Sequence, residues 1–410
     1  MSFAAPRFVP GARGTGPYLF DGHARWGVSV LNAAWLSVGA GVVLSLIGVY
    51  AIDVALRTGD EAFAGRALKQ LIFLGMGVLA AGVIALPHYR LYGVLAWPAM
   101  VLSIGLLIFL LLPFVPETIV KPENGARAWI NLRIVKLQPS ELAKIAFVLV
   151  VAHWLRFRTS HRKFPGLVPI AAIAAVPLGL ITLQPDLGTV LTFIPALFAM
   201  LVAAGARLRH LVIIVLAATL AAPAMYPLLK PHQKVRIQAL VKQVQGDRDG
   251  AQDINYQSFT AQKLVGAGGL FGNDDGHARA LVEFNRLPER HNDMVFAVIV
   301  TRFGLFGGLF VLLMYLVWIA GAILTAANCK DPFGRLVAVG LAGFIAAQVM
   351  VNIGMNIGLV PIIGVTLPFV SYGGSSLITL WMTTGLLVNI AMRRPLPPFR
   401  SSFEYADDDE

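Results

Sequence analysis

The sequence contains little charge and almost no cysteine. Only 13% of its 410 residues are Asp, Glu, Lys or Arg, whereas 57% are hydrophobic, and the mean hydropathy is +0.72. A water-soluble globular chain does not carry that much apolar surface, so the composition indicates a polytopic membrane protein. The one cysteine, Cys329, excludes a disulfide framework and a cysteine-based metal site.

Acidic residues are also scarce relative to basic ones, and the formal net charge is +11. In a membrane protein such an excess is first a topology signal, because basic residues collect in cytoplasmic connections. Nucleic-acid binding is a much weaker interpretation, and we expect no nucleic-acid partner. The N-terminus up to Trp26 is polar, basic and rich in Pro and Gly, which is typical of a short cytoplasmic tail rather than a cleavable signal peptide.

Ten stretches are long and apolar enough to cross a bilayer, which requires about 20 mostly apolar residues each. The sequence therefore predicts an all-α fold with about ten transmembrane helices, near residues 30–52, 67–86, 91–114, 139–156, 166–183, 188–205, 210–229, 304–326, 335–354 and 373–392. Basic residues fall on alternate connections. This pattern places both termini in the cytoplasm and the protein in the cytoplasmic (inner) membrane as a multi-pass protein.

Three parts follow from this topology. We expect a cytoplasmic tail over residues 1–29, a membrane domain over 30–392 and a second cytoplasmic tail over 393–410. The membrane domain includes a long extracytoplasmic loop, residues 231–303, between the seventh and eighth helices. The surrounding membrane lipids are the first expected partners of such a chain.

Residues 281–304, LVEFNRLPERHNDMVFAVIVTRFG, place a cluster of charge directly before an apolar stretch. Asp293 lies at that boundary, with Arg290 and His291 close to it in sequence. A carboxylate at the mouth of a helix bundle, beside basic groups, can be desolvated and used in catalysis. The alternative is a helix cap, since an Asp there accepts hydrogen bonds from free N–H groups and suits the helix dipole. This segment alone supports the two interpretations equally.

Two charged residues interrupt the fourth predicted span. In QPSELAK, Glu141 and Lys144 are three residues apart, which puts them on one face of a helix. A charge at mid-bilayer costs roughly 2.5–3.5 kcal/mol, so the pair must face protein or water. Either the two charges form a structural ion pair, or Lys144 binds an anionic headgroup or tunes a carboxylate such as Asp293.

The connection around residues 355–372 is too rich in Pro and Gly for a plain helix. Non-helical apolar backbone at membrane depth occurs only where protein or a water-filled cavity surrounds it, so we expect this segment to re-enter and line a cavity. Ser371 within it is a candidate substrate-binding residue. On the same outer side, QPDLGT joins the fifth and sixth spans, where we expect Asp186 to cap a helix and Gly188 to ease the turn.

Further candidate ligands lie on other outward-facing stretches. In NGARAWI, Arg127 is a candidate for binding phosphate and Trp129 for stacking on a sugar or a lipid. A tryptophan at a membrane interface is more often only an anchor, and that alternative stays open. In the long loop, Lys234 and Arg236 follow the seventh span.

The motifs NGARAWI, QPSELAK, QPDLGT, LPERHND, NIGMNIGLVP and LPFVSYGGSS occur in this order. With them the chain resembles the SEDS family of membrane proteins, the group that contains RodA and FtsW. The resemblance implies a ten-span peptidoglycan glycosyltransferase that polymerises lipid II on the outer face of the cytoplasmic membrane, with a class B penicillin-binding transpeptidase as partner. It is closer to RodA, the elongation enzyme, than to the division enzyme FtsW.

In that family the acid of the LPERHND-type segment is required for polymerisation, and it corresponds here to Asp293. We therefore expect Asp293 to act as the general base. The candidate phosphate and substrate ligands are Lys144, Arg127, Lys234, Arg236, Glu141, Trp129, Arg290, His291 and Ser371. A divalent cation, Mg²⁺ or Mn²⁺, is a candidate helper. The alternatives are a division-specific polymerase of the FtsW type, a carrier that moves a lipid-linked precursor between leaflets, and a non-catalytic scaffold for a transpeptidase.

One departure from the family separates this chain from its relatives. Where the family commonly reads EELG after the Asp-bearing segment, this chain has Thr301, Arg302, Phe303 and Gly304. Two acids are absent there and a base replaces one of them. If those acids bind a metal or hold the catalytic loop, this chain either does so in another way or has lost some activity.

Overall fold

The computed structural model describes residues 32–57, 63–120, 126–132, 136–225 and 256–393, together with positions 122, 234 and 238. These described residues form twelve α-helices. Ten of them correspond to the predicted spans: α1 (Ala34–Leu56), α2 (Gly65–Ala85), α3 (Tyr89–Leu111), α4 (Pro139–Leu155), α5 (Val168–Leu183), α6 (Leu187–Ala203), α7 (Leu208–Met225), α10 (Val295–Asn328), α11 (Pro332–Asn356) and α12 (Gly374–Met392). The other two, α8 (Tyr256–Ala267) and α9 (Asp275–Phe284), lie within the predicted extracytoplasmic loop.

The prediction of an all-α, multi-pass membrane protein is confirmed. Among the described residues, seven helical stretches are long and apolar enough to cross a membrane: α1, α2, α3, α10, α11, α12 and Phe164–Leu183, which adds a short 3₁₀ helix to the start of α5. Helices α4 and α6 have 17 residues each. The only strands among the described residues are β1 (Ile130–Asn131) and β2 (Lys136–Leu137), a short antiparallel pair before α4.

The bundle is held together by pairs of long helices. Helix α12 packs on α2, α1 on α10, α3 on α4, and α11 on both α6 and α10. Where α4, α6 and α11 meet, Phe147, Phe193 and Phe344 form an aromatic cluster with edge-on rings, their centroids 4.9–6.4 Å apart. Such edge-on contacts stabilise the core beyond simple burial. This cluster holds α4, α6 and α11 against one another, and all three contribute residues to the site described below.

The two chain ends of the bundle lie together. Ser37, near the start of α1, donates a hydrogen bond to the carbonyl of Trp318 near the end of α10. Asn389, near the end of α12, donates to the carbonyls of Ile84 and Pro87 at the end of α2. We call this end of the bundle the tail end, and the opposite one the Asp293 end. The tails themselves, residues 1–29 and 394–410, lie outside the described residues.

The eighth membrane helix begins earlier than the sequence suggested. It was expected near residues 304–326, yet α10 starts at Val295 and continues to Asn328. The reason is that residues 295–301 are buried inside the protein, so an apolar run that resembles the end of a loop is the first part of the helix. The charge of Arg302 and the glycine at 304 mask this continuity in the sequence.

Helix α10 is broken at Gly304, where φ is +69° and ψ is −168°. A break leaves backbone N–H and C=O groups without partners inside the helix. The turn 269–273 supplies them: Leu305 N–H and Phe306 N–H donate to carbonyls of that turn, and the carbonyl of Thr301 accepts from Asn273. A Cβ on Gly304 would overlap the same turn, so only glycine allows this contact. The break therefore fastens α8 and α9 to the bundle.

The connection between α11 and α12 is non-helical, as predicted. Residues 357–373 run from the end of α11 to the start of α12 without regular structure. Leu367, Phe369 and Val370 are fully buried, whereas Ile357 and Leu359 are exposed. The segment therefore packs into the bundle at the Asp293 end.

Candidate active site

Asp293 lies just before α10 at the Asp293 end of the bundle, and it is half-buried. The N-cap position of the helix is Met294 rather than Asp293. The N–H of Ala297, which a capping side chain would usually satisfy, donates instead to Oδ1 of Asn356 on another helix. Asp293 is therefore not at the position that the cap interpretation requires.

The backbone that carries Asp293 is bonded to the start of the last helix. Tyr372 N–H donates to the carbonyl of His291 at 2.9 Å, and Ser371 Oγ donates to the carbonyl of Asn292 at 2.7 Å. Ser371 Oγ also accepts from Leu367 N–H. The hydroxyl of Ser371, expected to bind substrate, is thus already engaged in holding the Asp293 segment.

Helix α2 secures the same region. Gln70 is fully buried, and its side chain bonds both the carbonyl of Ser371 and the N–H of Gly373. A buried amide with both ends satisfied fixes the backbone that it joins. The start of α12 and the Asp293 segment therefore form one rigid unit with α2.

The QPDLGT segment and the non-helical connection 357–373 meet beside Asp293. A Cβ on Gly188 would overlap the carbonyl of Ile363, so only glycine lets α6 approach the re-entrant segment this closely. At the next residue, a Cβ on Gly364 would lie 3.7 Å from Asp293 Oδ2. Two motifs that are far apart in sequence thus converge on the carboxylate.

Asp186 caps α6, as expected, by accepting from Thr189 N–H at 3.0 Å and from Thr189 Oγ1 at 2.7 Å. Burial raises the pKa of the Asp186 carboxyl, and the charge of Glu141 acts in the same direction. The two Thr189 bonds and the charge of Lys144 oppose that rise. The carboxyl group of Asp186 is thus close enough to the Glu141–Lys144 pair for both charges to act on it.

Glu141 and Lys144 form a buried ion pair, with Lys144 Nζ 2.8 Å from Glu141 Oε1. Their side chains are 5% and 8% exposed, so the pair is neutralised inside the protein. It borders a cavity of about 20 Å³ between α4, α11 and α12, which has room for about one water molecule. This geometry agrees with the structural ion pair and leaves Lys144 poorly placed to bind a headgroup.

His291 is enclosed by Arg66 of α2 and the ring of Tyr372. One ring nitrogen of His291 is hydrogen-bonded to the guanidinium of Arg66, and the His291 and Tyr372 rings lie 5.8 Å apart. Burial lowers the pKa of His291 to about 4, helped by the charges of Arg66 and Arg290 and opposed by that of Glu289. His291 is therefore neutral at physiological pH.

An open groove lies at the start of α2, next to this cluster. Its volume is about 470 Å³, and it is lined by Leu56, Ala64, Gly65, Arg66 and Lys69. This volume is in the range of small-molecule sites. Arg66 joins the groove to His291, two residues from Asp293. Arg66 and Lys69 were not among the residues predicted from sequence, although two basic residues at the start of a predicted span were a visible signal.

The remaining candidate ligands are less well connected. Arg127 is half-buried, and its buried Nε has no hydrogen-bond partner among the described residues. Trp129 is half-buried and lies just before the short strand pair. Gln138, which follows that pair, donates its N–H to Ser375 Oγ of α12. Lys234 is half-buried, but its sequence neighbours, including Arg236, lie outside the described residues.

The departure from the family pattern has partners of its own. Thr301 is buried and donates to the carbonyls of Ala297 and Leu264. Arg302 donates to the Tyr50 hydroxyl at 3.0 Å and to the carbonyl of Asn273 at 2.8 Å. It also lies 3.7 Å from the Asp275 carboxylate, which pairs with Arg279, and Arg279 reaches Asp53 of α1. A base at position 302 thus joins α1, α9 and α10.

Within the described part of the chain, no three His, Cys, Asp or Glu side chains lie close enough to hold a metal ion.

Comparison with known proteins places the chain. A family model for FtsW, RodA and SpoVE, described as a cell cycle protein, matches residues 30–395. Stage V sporulation protein E of Bacillus subtilis is 34% identical over 88% of this chain and 95% of its own length. The probable peptidoglycan glycosyltransferase FtsW of Trichlorobacter lovleyi is 32% identical over 80% and 84%, and the peptidoglycan glycosyltransferase MrdB of Escherichia coli is 36% identical over 67% and 73%.

Solved structures give the same result. A chain from "Structural coordination of polymerization and crosslinking by a peptidoglycan synthase complex" matches with a TM-score of 0.74 and 29% identity, over 87% of this chain and 96% of that one. The crystal structure of the Thermus thermophilus rod shape determining protein RodA matches with a TM-score of 0.63 and 28% identity, over 87% and 95%. Since these matches span the membrane domain, the chain belongs to the FtsW, RodA and SpoVE family.

Proposed function

We propose that this protein is a peptidoglycan glycosyltransferase that polymerises lipid II at the outer face of the cytoplasmic membrane. The observation that carries the proposal is the placement of Asp293. Asp293 is half-buried and precedes α10, and its carboxylate lies close to Gly364 of the connection between α11 and α12. A basic groove reaches His291, two residues before Asp293, through Arg66. Relatives named peptidoglycan glycosyltransferases support the same chemistry.

In the proposed reaction, a hydroxyl oxygen of the acceptor sugar attacks the anomeric carbon of the donor. The bond from that carbon to the pyrophosphate oxygen breaks, and undecaprenyl pyrophosphate leaves with the bonding electron pair. Asp293 takes the hydroxyl proton, a task that contributes roughly 10²–10⁴-fold in rate. Direct displacement inverts the anomeric configuration and gives a β-linked strand.

The leaving pyrophosphate needs positive charge. We assign this task first to Arg66 and Lys69, because both line the open groove beside His291. Arg127 is the second candidate, because its buried Nε has no described partner. Lys144 is a weaker candidate than the sequence suggested, since Glu141 already neutralises it.

A divalent cation, Mg²⁺ or Mn²⁺, remains part of the proposal as a companion of the pyrophosphate. Magnesium is commonly bound through substrate phosphates with few protein carboxylates, which suits a site without a three-ligand cluster. If so, a chelator lowers polymer formation but leaves the melting temperature of the substrate-free protein unchanged. A lower melting temperature in the chelator would instead indicate a resident ion.

Cell elongation is the more specific role that we propose, with a class B penicillin-binding transpeptidase as partner and both termini in the cytoplasm. The division role is the second candidate, because relatives named FtsW cover 80% of this chain. Expression in rod-shaped bacteria depleted of either polymerase distinguishes the two. Restored rod shape supports elongation, whereas restored septation supports division.

The direct test uses purified protein with lipid II. Asp293→Asn keeps the shape of the side chain but removes the base, so we expect polymer formation to fall by about 10²–10⁴-fold. The control is Asp331→Asn at the tail end, where Asp331 caps α11 through Phe333 N–H and pairs with Arg90. Both variants should melt close to the parent.

The other outcomes reject the proposal. Full polymer yield from Asp293→Asn would exclude Asp293 as the base. Exchange of labelled lipid II between leaflets without polymer would indicate the carrier. A parent protein that forms no polymer but increases the activity of a transpeptidase would indicate the scaffold.

A further inference from the structure

The carbonyl of Asp293 is held by two asparagines of α11. Asn352 Nδ2 donates to it at 2.8 Å, and Asn356 Nδ2 donates to it at 2.9 Å. Both side chains are fully buried and lie one helical turn apart on the same face of α11. Asn352 Nδ2 also donates to the carbonyl of Val365 at 2.7 Å. Asn352 therefore links the Asp293 backbone to the connection 357–373.

Asn356 occupies a hydrogen bond that α10 would otherwise make. In a regular helix, Ala297 N–H donates to the carbonyl four residues earlier, which is that of Asp293. Here Ala297 N–H donates to Asn356 Oδ1 at 3.1 Å, while Asn356 Nδ2 donates to the Asp293 carbonyl. The side-chain amide of Asn356 is thus inserted between the two backbone groups.

This insertion keeps Asp293 out of the first turn. If the Asn356 amide were absent, Ala297 N–H would be an unpaired buried donor, and the Asp293 carbonyl would keep only its bond from Asn352. A carbonyl oxygen accepts two hydrogen bonds, so a bond from Ala297 N–H to the Asp293 carbonyl is the cheapest repair. The helix would then extend toward residue 293. Each helical residue turns by about 100°, so even a small extension would redirect the carboxylate.

We infer that Asn356, assisted by Asn352, is the positioning residue that sets the direction of the Asp293 carboxylate. The inference rests on the proposed function for its activity readout only. Neither asparagine touches the reacting atoms. Each acts through the peptide group that follows Asp293.

The activity test compares Asn356→Ala with Asn389→Ala at the tail end. Asn389 is an equally buried asparagine that also donates to two carbonyls. We expect similar melting temperatures for the two variants. The kcat of Asn356→Ala should fall about a hundredfold with little change in KM, since a small misplacement of a catalytic group costs about that much. Asn389→Ala should keep the parent kcat.

A pH profile separates positioning from general damage. Asn356→Asp keeps the acceptor for Ala297 N–H but places a carboxylate beside the Asp293 peptide. A nearby negative charge raises the pKa of a carboxyl group, so the acidic limb of the kcat profile should move to higher pH. An unchanged limb, or equal kcat values for the two alanine variants, would overturn the inference.

A third measurement needs no activity. In a Cys329→Ser background, Asp293→Cys is alkylated with a charged maleimide, alone and combined with Asn356→Ala or Asn389→Ala. We expect the alkylation rate to change only with Asn356→Ala, because only that variant turns residue 293. Equal rates in all three proteins would reject the inference even if the parent is an active polymerase. A parent without polymerase activity would reject the proposed function and leave this test intact.

Discussion

Aspartate and asparagine side chains lie at both ends of the bundle, but they have different structural roles at the two ends. At the tail end, Asp331 caps α11 directly, and Asn389 joins the end of α12 to that of α2. At the Asp293 end, an asparagine from a neighbouring helix satisfies the start of α10, and the nearby carboxylate stays outside the helix. A carboxylate that serves as a cap is committed to structure. At the start of α10 that task falls to Asn356, so Ala297 N–H does not need the Asp293 side chain.

The largest difference in stability should come from glycine replacement. Gly304→Ala forces a side chain into the turn that satisfies the helix break, at φ +69°. We expect a loss of roughly 3 kcal/mol or more. Gly82→Ala, in α2 near the tail end with no atom close to its Cβ position, should be neutral or stabilising. Thermal unfolding in detergent measures the stability of both variants. Equal melting temperatures for Gly304→Ala and Gly82→Ala would contradict the expected difference between the two ends.

The second largest difference in stability should come from replacing an arginine at each end. Arg302→Gln removes the hydrogen bonds to Tyr50 and Asn273 in a half-buried network, and we expect a loss of about 1.5–3 kcal/mol. Arg90→Gln at the tail end weakens a half-exposed pair with Asp331 at 3.9 Å, and a pair of this kind is worth about 0–1 kcal/mol. Melting temperatures of both variants at low and high salt check this. A larger drop in melting temperature for Arg90→Gln than for Arg302→Gln would show that ion pairs stabilise the tail end more than the Asp293 end.

A smaller effect should appear as a dependence on pH. His291 has a pKa of about 4 in the folded protein and about 6.5 when unfolded, so the unfolded chain takes up the proton first as the pH falls. The His291 contribution to stability is present above pH 6.5 and lost between about 6.5 and 4. His291→Gln should therefore flatten the fall in melting temperature over this window. An unchanged slope would show that His291 is already charged in the folded protein.

The smallest effect should be that of Asp186→Asn. Because burial raises the pKa of Asp186, the folded protein favours the protonated carboxyl, and stability falls as the pH rises through that pKa. An amide can still accept from Thr189 N–H. The variant should match the parent at low pH and melt slightly higher at alkaline pH. A large loss at every pH would mean that the ionised carboxylate stabilises α6.

Hydropathy was sufficient to predict the membrane helices, because apolar runs long enough to cross a bilayer are unambiguous. Local motifs also predicted the Asp186 cap and the non-helical connection before α12, and they selected Asp293 as the candidate base. The start of α10 was misplaced because Val295 to Thr301 contact protein on all sides, which no local pattern records. The role of Asn356 was invisible for the same reason, since its partners are 59 and 63 residues away.

The replacement at Arg302 shows a further limit of sequence reasoning. Two missing acids suggested a damaged site, yet the arginine has Tyr50, Asn273 and Asp275 as neighbours. These partners come from α1 and from the segment around the start of α9. A substitution of opposite charge can therefore be accommodated when its partners already lie in the fold, and only the three-dimensional arrangement reveals them.

The bonds to residues 291 and 292 run through peptide oxygens, which every amino acid possesses. In a saturation library, many side chains at 291 and 292 should therefore preserve the local backbone path. Proline at 372 should be rejected, because it removes the N–H that reaches residue 291. Drift among homologues at positions 291 and 292 would then say little about whether the catalytic architecture survives.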